Sequence, residues 1–272
     1  MESKESTEEC AENDGEATLQ EMKPSKLKWP PVNCKEKIVI FVDISSDMNS
    51  ESLNQGRSRS QPFIWFVKKT LQMFFVSKTI LNPEHEYAMV LMQDNTTVWF
   101  QEFSNNSKRL CESVADLEAG EEPVDSENTY DFGAVVTLLK EHCELPEVED
   151  IALPPPYIIR VIFIYGRSQC CLNLSEEKQK ELEELKKSPY FFLDVLYLHE
   201  IPSADNKAQE IYDFFCNLDK EEKGYILEVS NSAKILYETF AKLICHPLQR
   251  SPQNEAFYDL IPAPVEEVAD KP

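Results

Sequence analysis

Glycine is scarce in this chain. It occurs six times in 272 residues, and nowhere as GxGxxG or as a P-loop, so a phosphate cradle built from glycine amides is excluded. Basic residues are outnumbered, 27 Lys and Arg against 49 Asp and Glu, for a formal charge of −22. A field of that sign repels polyphosphates and anionic headgroups; no nucleic acid and no membrane is expected as a partner, and other proteins are. No apolar run reaches the roughly 18 residues a membrane helix needs. The opening MESKESTEECAEND has no basic stretch leading into an apolar core, so the expected location is the cytoplasm and nucleus. The four histidines, at 85, 142, 199 and 246, show no HxH or HExxH spacing, which leaves a zinc hydrolase without its ligand pattern. Eight cysteines form no CxxC pair and are expected as buried free thiols, the adjacent Cys170 and Cys171 included.

What the chain does have is a 42% hydrophobic content, enough for one large core. Residues 1–31 are acidic and polar, end on KPSKLKWPP, and read as a disordered tail. From Val32 onward strand-like and helix-like segments alternate. IVIFVD (38–43), YIIRVIFIYG (157–166) and YFFLDVLYLH (190–199) are continuous apolar runs suited to strands covered on both faces. EYAMVLMQ (86–93) and TVWFQEF (97–103), joined by DNTT, predict a hairpin; YILEVS (225–230) predicts one more strand. Helical spacing marks 60–81, 106–118, 131–145, 175–188, 208–219 and 232–245. This order predicts an α/β fold, a doubly wound, mostly parallel sheet flanked by helices, with one antiparallel strand near an edge. The domain is expected to span 32–245, followed by an extended tail over 246–272.

In such sheets ligands lie at the carboxyl ends of the strands. The first strand ends on Asp43-Ile44-Ser45-Ser46-Asp47, which resembles the DxSxS metal-ion-dependent adhesion site of von Willebrand factor A domains. There, carboxylate and hydroxyl oxygens converge on Mg²⁺, a hard cation that takes oxygen ligands. Asp43 and Ser45 match, Asp47 replaces a serine, and Thr129, ahead of Asp131-Phe132-Gly133, supplies a further ligand position. Where the pattern calls for an aspartate before glycine, the chain has Tyr165-Gly166. The expectation is therefore a degenerate outline (Asp43, Ser45, Asp47, Thr129) that holds no metal. Asp43 and Ser45 would instead cap the following turn through backbone N–H groups. An aspartyl-phosphatase motif fails as well, because position 45 is serine. No catalytic residues are assigned.

Two stretches, ALPPPYIIRVIFIYGRSQC (152–170) and AKLICHPLQRSPQNEAFYDL (241–260), resemble the BRISC and BRCA-one A complex member one (MERIT-forty) family, with support from VNCKEKIVIFVDIS (32–45) and SPYFFLDVLYLH (188–199). The resemblance implies a von Willebrand factor A-like fold without catalysis. It also implies a scaffold role in a lysine-63-specific deubiquitinase complex acting in the DNA-damage response and cytokine signalling. The implied partners are a ubiquitin-E2-variant scaffold subunit (BRE), a JAMM zinc deubiquitinase and an Abraxas-like MPN subunit. In the tail, Pro247, Leu248, Gln249 and Arg250, followed by Phe257, Tyr258 and Leu260, read as partner anchors. The alternative function is a metal-dependent von Willebrand A module that captures an acidic ligand group.

Overall fold

The computed structural model describes residues 33–50, 52–54, 60–121, 129–148, 150, 153–219, 223–230 and 232–256. In chain order these form strand β1 (Lys35–Asp43), the short helix α1 (Asp47–Ser50), strands β2 (Ser52–Asn54) and β3 (Ser60–Pro62), and helix α2 (Phe63–Leu81). The hairpin β4 (Glu86–Met92) and β5 (Thr97–Ser104) follows, then α3 (Ser107–Ala115), β6 (Tyr130–Asp131) and α4 (Phe132–His142). The remainder is β7 (Tyr157–Tyr165), β8 (Leu172–Asn173), α5 (Glu176–Lys187), β9 (Phe191–His199), α6 (Ala208–Leu218), β10 (Ile226–Ser230) and α7 (Ala233–Lys242).

The main sheet runs β10-β9-β7-β1-β4-β5, with β2–β3 and β6–β8 as separate short ladders. Every pairing in it is parallel except β4–β5, which places the hairpin strand at one edge, as its DNTT turn predicts. Alternation within the apolar runs explains the layering. In β1, Ile38, Ile40 and Val42 face the layer that holds α2, α3 and α7. Val39 and Phe41 face the layer of α4, α5 and α6. Both sides of the strand are therefore dry, and no polar alternation appears in its sequence.

Helix starts follow the capping residues. The side chains of Asn106, Asp131, Ser175 and Ser232 accept from Arg109, Gly133, Lys178 and Ile235 N–H respectively, each satisfying a first-turn donor that has no partner within the helix.

One boundary differs from the sequence expectation. The chain does not leave the domain at 246. Leu248 is buried against Ile158, Tyr190 and Phe192, and Gln253 brackets the backbone of the outermost strand, accepting from Ile226 N–H at 2.6 Å and donating to its carbonyl at 2.8 Å. The folded unit thus continues through residue 256. Phe257, Tyr258 and Leu260 lie outside the described residues.

Candidate functional site

Chain order reverses at β1, which sits between β4 and β7, so the crevice between the carboxyl ends of β1 and β7 is the switch point of the sheet. Asp43 closes β1 on one side of it. Gly166 and Arg167 follow β7 on the other. Both carboxylate oxygens of Asp43 are occupied from within the chain. Ser45 N–H donates to Oδ1 at 3.0 Å and Gly166 N–H to Oδ2 at 3.0 Å. Arg167 donates from Nε to Oδ2 at 3.1 Å and from Nη2 to Oδ1 at 3.1 Å, a two-point grip matched to the planar carboxylate. The rest of the guanidinium is also committed. Its Nη1 donates to the Asp94 carbonyl at 2.9 Å and Nη2 to the Gln93 carbonyl at 2.8 Å, and its carbon lies 4.9 Å from the Tyr130 ring centre and 5.5 Å from that of Tyr165. Asp43 and Arg167 are both fully buried, and the Asp43 carboxylate holds the Arg167 guanidinium firmly charged against the cost of burial.

Gly166 permits this arrangement by its size. A Cβ there would sit 2.0 Å from the Met48 sulfur, so a larger residue would have to displace the buried Met48 side chain to keep its amide on Asp43.

Of the remaining members of the outline, Ser45 and Asp47 stay close to Asp43. Ser45 keeps the position of a ligand, buried with a hydroxyl that has no hydrogen-bond partner. Thr129 is exposed, and its hydroxyl accepts from Asn173 at 3.4 Å. Burial first, and then the nearby Asp43 charge, push the Asp47 carboxyl up to about 6. Among the described residues no group of three or more His, Cys, Asp or Glu side chains is placed to hold a metal ion. A guanidinium that grips both Asp43 oxygens leaves a divalent cation without its first ligand, so the residues present do not fit Mg²⁺. The residue that decides this, Arg167, is missed by motif reasoning. Its signal in the sequence is a basic residue two positions after Tyr165, which stands where the adhesion-site pattern carries a carboxylate.

A second polar centre lies at the opposite ends of the strands. Arg160 in β7 donates to Asp194 in β9 at 2.8 Å and to Glu36 in β1 at 3.1 Å. Lys78, at the end of α2, pairs with Glu36, and Arg250 grips Asp194 from Nη1 at 3.0 Å and from Nη2. All five charged groups are buried. Despite that burial, the facing cations hold the Glu36 and Asp194 carboxyls below their usual range. His85 and His246 border this cluster as neutral rings. The Nδ1 of His85 accepts from Glu36 N–H at 2.9 Å, and that of His246 accepts from Leu248 N–H at 3.1 Å. Burial lowers both to about 4.

The assignment of Pro247, Leu248, Gln249 and Arg250 as partner anchors is corrected here. Pro247, Leu248 and Arg250 are buried against their own domain, and of the four only Gln249 is exposed. A buried aspartate in β9 offers Arg250 a charge partner at no cost in association entropy, and it outcompetes solvent.

Catalytic arrangements fare poorly. The Cys34 sulfur lies 3.8 Å from His246 Nε2, yet burial pushes that thiol up to about 11, the reverse of an activated thiolate. A cavity of about 490 Å³ beyond β9 is lined by His199, Glu200, Asp205, Ser52 and Ser203 among others; its histidine meets the Glu200 carbonyl at 2.6 Å and the Glu228 carboxylate at 3.4 Å.

The chain is 32% identical over 242 residues to "BRISC and BRCA1-A complex member 1" of Xenopus tropicalis, spanning 87% of this chain and 73% of that protein. To the protein of the same name in Danio rerio it is 34% identical, across 86% of this chain and 63% of that protein. To that of Homo sapiens it is 30% identical, across 87% and 71%. No family model matches the chain. Among solved structures, the SpRpn10 VWA domain superposes with a TM-score of 0.51 at 15% identity, covering 80% of this chain and 99% of that domain. Proximal thread matrix protein 1 from the mussel byssus gives 0.51 at 12% identity, covering 78% of this chain and 48% of that one. At those identities the structures establish the fold, a von Willebrand A domain, and nothing finer.

Proposed function

The chain belongs to the BRISC and BRCA1-A complex member 1 family, and from that premise we propose that it is a non-catalytic scaffold subunit of a lysine-63-specific deubiquitinase complex. The observation that carries this reading is the Arg167 guanidinium seated on Asp43. Where a von Willebrand A module would present a cation to its ligand, this domain spends its own cation internally. The position is thereby converted from a capture site into a structural tie between the β1 and β7 exits. Among the described residues the Cys34–His246 pair carries a thiol pushed up to about 11, and the cavity histidine meets a carbonyl and a carboxylate; neither arrangement presents an activated nucleophile.

The partners this reading names are a BRE-type ubiquitin-E2-variant scaffold, a JAMM zinc deubiquitinase and an Abraxas-like MPN subunit. Work in the cytoplasm and nucleus, in cytokine signalling and the DNA-damage response, goes with them. The net charge of −22 agrees with protein partners rather than nucleic acid.

The experiment is reconstitution. Co-expressed with those three subunits, the chain should elute in one assembly and raise the amount of intact, active complex, while the isolated chain should cleave no lysine-63-linked ubiquitin. Ubiquitin hydrolysis by the isolated chain, or its failure to co-elute, would refute the proposal. A Mg²⁺ or Mn²⁺ titration tests the metal-dependent alternative. Thermal stabilisation of the wild-type chain by either ion, abolished by Asp43→Ala, would favour that alternative.

A further inference from the structure

Helix α2, FIWFVKKTLQMFFVSKTIL, carries apolar residues on its outer side as well as on its core-facing side, more than a surface helix with one buried stripe needs. Its inner face is covered. Phe63, Phe66, Val67, Leu71, Phe74 and Phe75 lie in the core. Its flanks are held as well: Gln72 donates to the Cys111 carbonyl of α3 at 3.1 Å, Lys68 donates to the Leu117 carbonyl at 2.8 Å, and Phe66 and Phe74 meet Tyr237 and Phe240 of α7 edge-on. Between those flanks an outer ridge stays open. Met73 is 60% exposed, Val76 51%, Ile80 78% and Leu81 58%, with Trp65 at the helix start. Positions 65, 69, 73, 76 and 80 are spaced by four, four, three and four residues, so they form one continuous line. At about 1.5 Å per residue the line from Trp65 to Ile80 is roughly 22 Å long, four helical turns.

Charge says what covers it. The chain holds 49 acidic residues, yet none falls between Phe63 and Leu81. The one charged residue on the ridge is Lys69, whose ammonium lies 5.9 Å from the Trp65 ring centre. A second copy docked ridge to ridge would bring another Lys69 and no carboxylate from its own α2, which leaves that charge unpaired. A partner that buries an apolar face and carries carboxylates beside it meets both demands. We propose that the α2 ridge is a docking surface for an amphipathic helix of another protein, one with an apolar stripe about four turns long flanked by Asp or Glu, so that Lys69 is paired on binding. This deepens the complex-subunit reading and rests on it for the partner's identity, but not for its chemistry.

Two arms test it, both on the full chain, comparing wild type with Met73→Glu/Ile80→Glu. These exposed positions should leave the circular dichroism and the unfolding midpoint unchanged. In the first arm the probes are two 20-residue helical peptides with the same leucine stripe, one flanked by glutamates and one by lysines. Binding is followed by the part of the tryptophan emission that Trp65→Phe removes. The glutamate-flanked peptide should bind, the lysine-flanked one at least ten times more weakly, and the double variant neither. No binding of the glutamate-flanked peptide, no preference between the two, or binding unaffected by the double variant overturns the proposal.

Two other occupants would reveal themselves in the same experiment. A wild-type dimer in sedimentation that the double variant dissolves assigns the ridge to a second copy, and a Trp65 emission already shielded in the isolated wild type assigns it to this chain's own termini; either result overturns the proposal. The second arm is co-elution with the three complex subunits. If wild type and double variant enter equally, the ridge is not the docking surface and the complex reading stands. If only wild type enters, the ridge holds. If neither enters, the complex reading fails and the peptide arm alone decides the chemistry.

Discussion

Replacing Arg167 by alanine tests the site most directly. The substitution removes the guanidinium grip on Asp43 together with the bonds to the Gln93 and Asp94 carbonyls. Asp43 would remain fully buried as an anion facing only the Ser45 and Gly166 amides. Breaking a buried ion pair on one side costs about 3–5 kcal/mol. With about 2–4 °C of midpoint per kcal/mol for a domain of this size, the thermal midpoint should fall by roughly 6–20 °C. Arg167→Lys should recover part of the loss, since an ammonium supplies the charge without the planar two-point grip. The decisive assay is a double-mutant cycle by urea unfolding. Asp43→Asn/Arg167→Ala should be more stable than the sum of the single losses predicts by about 2 kcal/mol, because the stranded charge is gone. With Asp43 uncovered, millimolar Mn²⁺ should raise the midpoint of Arg167→Ala and leave that of wild type unmoved. A loss below about 1 kcal/mol for Arg167→Ala, additive singles, or a wild-type response to Mn²⁺ would refute the reading of Arg167 as an internal cation.

The opposite end of the sheet gives two further expectations. Arg250→Ala strands Asp194 with Arg160 alone as its charged partner, and should cost about 3–5 kcal/mol. It should also speed limited proteolysis within residues 246–256, with Gln249→Ala as an unaffected control; equal cleavage of Arg250→Ala and wild type would contradict the packed placement of that segment. The second expectation concerns acid. His85 and His246 titrate near 4 in the fold because burial opposes their charge, against roughly 6.5 in an unfolded chain. The native state thus binds fewer protons in that interval. Their contribution to stability is complete above pH 6.5 and is lost as pH falls toward 4. Asp47, raised to about 6 by burial, acts in the other direction and regains stability as pH falls below 6. Asp219, also raised by burial, adds to the Asp47 side, but the two rings start to lose stability below about 6.5, before Asp47 begins to regain it, so the urea midpoint should be lower at pH 6 than at pH 7, and the His85→Gln/His246→Gln pair should flatten the difference. A midpoint that rises on acidification would show this assignment of proton binding to be wrong.

Much of the architecture was legible in the residues because its causes are local. IVIFVD, YIIRVIFIYG and YFFLDVLYLH carry apolar side chains at both parities, which is what a strand between two helical layers requires. Ser175 and Asp131 stand where a helix needs an acceptor for its first N–H groups, and that need follows from helix geometry alone. Asp43-Ile44-Ser45 marked the right strand end for the same reason: an aspartate after a buried strand sits at the carboxyl edge of a parallel sheet.

What the residues could not reveal depends on contacts between distant segments. Arg167 is 124 residues from Asp43, and nothing local distinguishes a guanidinium that turns inward onto a carboxylate from one that turns to water. Arg160 and Asp194 stand out as charges inside apolar strands, but their neutralisation needs Glu36, Lys78 and Arg250, drawn from three other parts of the chain. HPLQR was misread for this reason. A proline-containing polar segment after the last helix has the composition of a tail, and only the tertiary structure supplies the buried Asp194 that holds Arg250 and the small apolar cluster that holds Leu248. Periodicity and capping are properties of neighbouring residues, so the sequence determined the layers and the position of the crevice; which charges meet inside is fixed by packing, so the identity of the cation at Asp43 was decided by the fold.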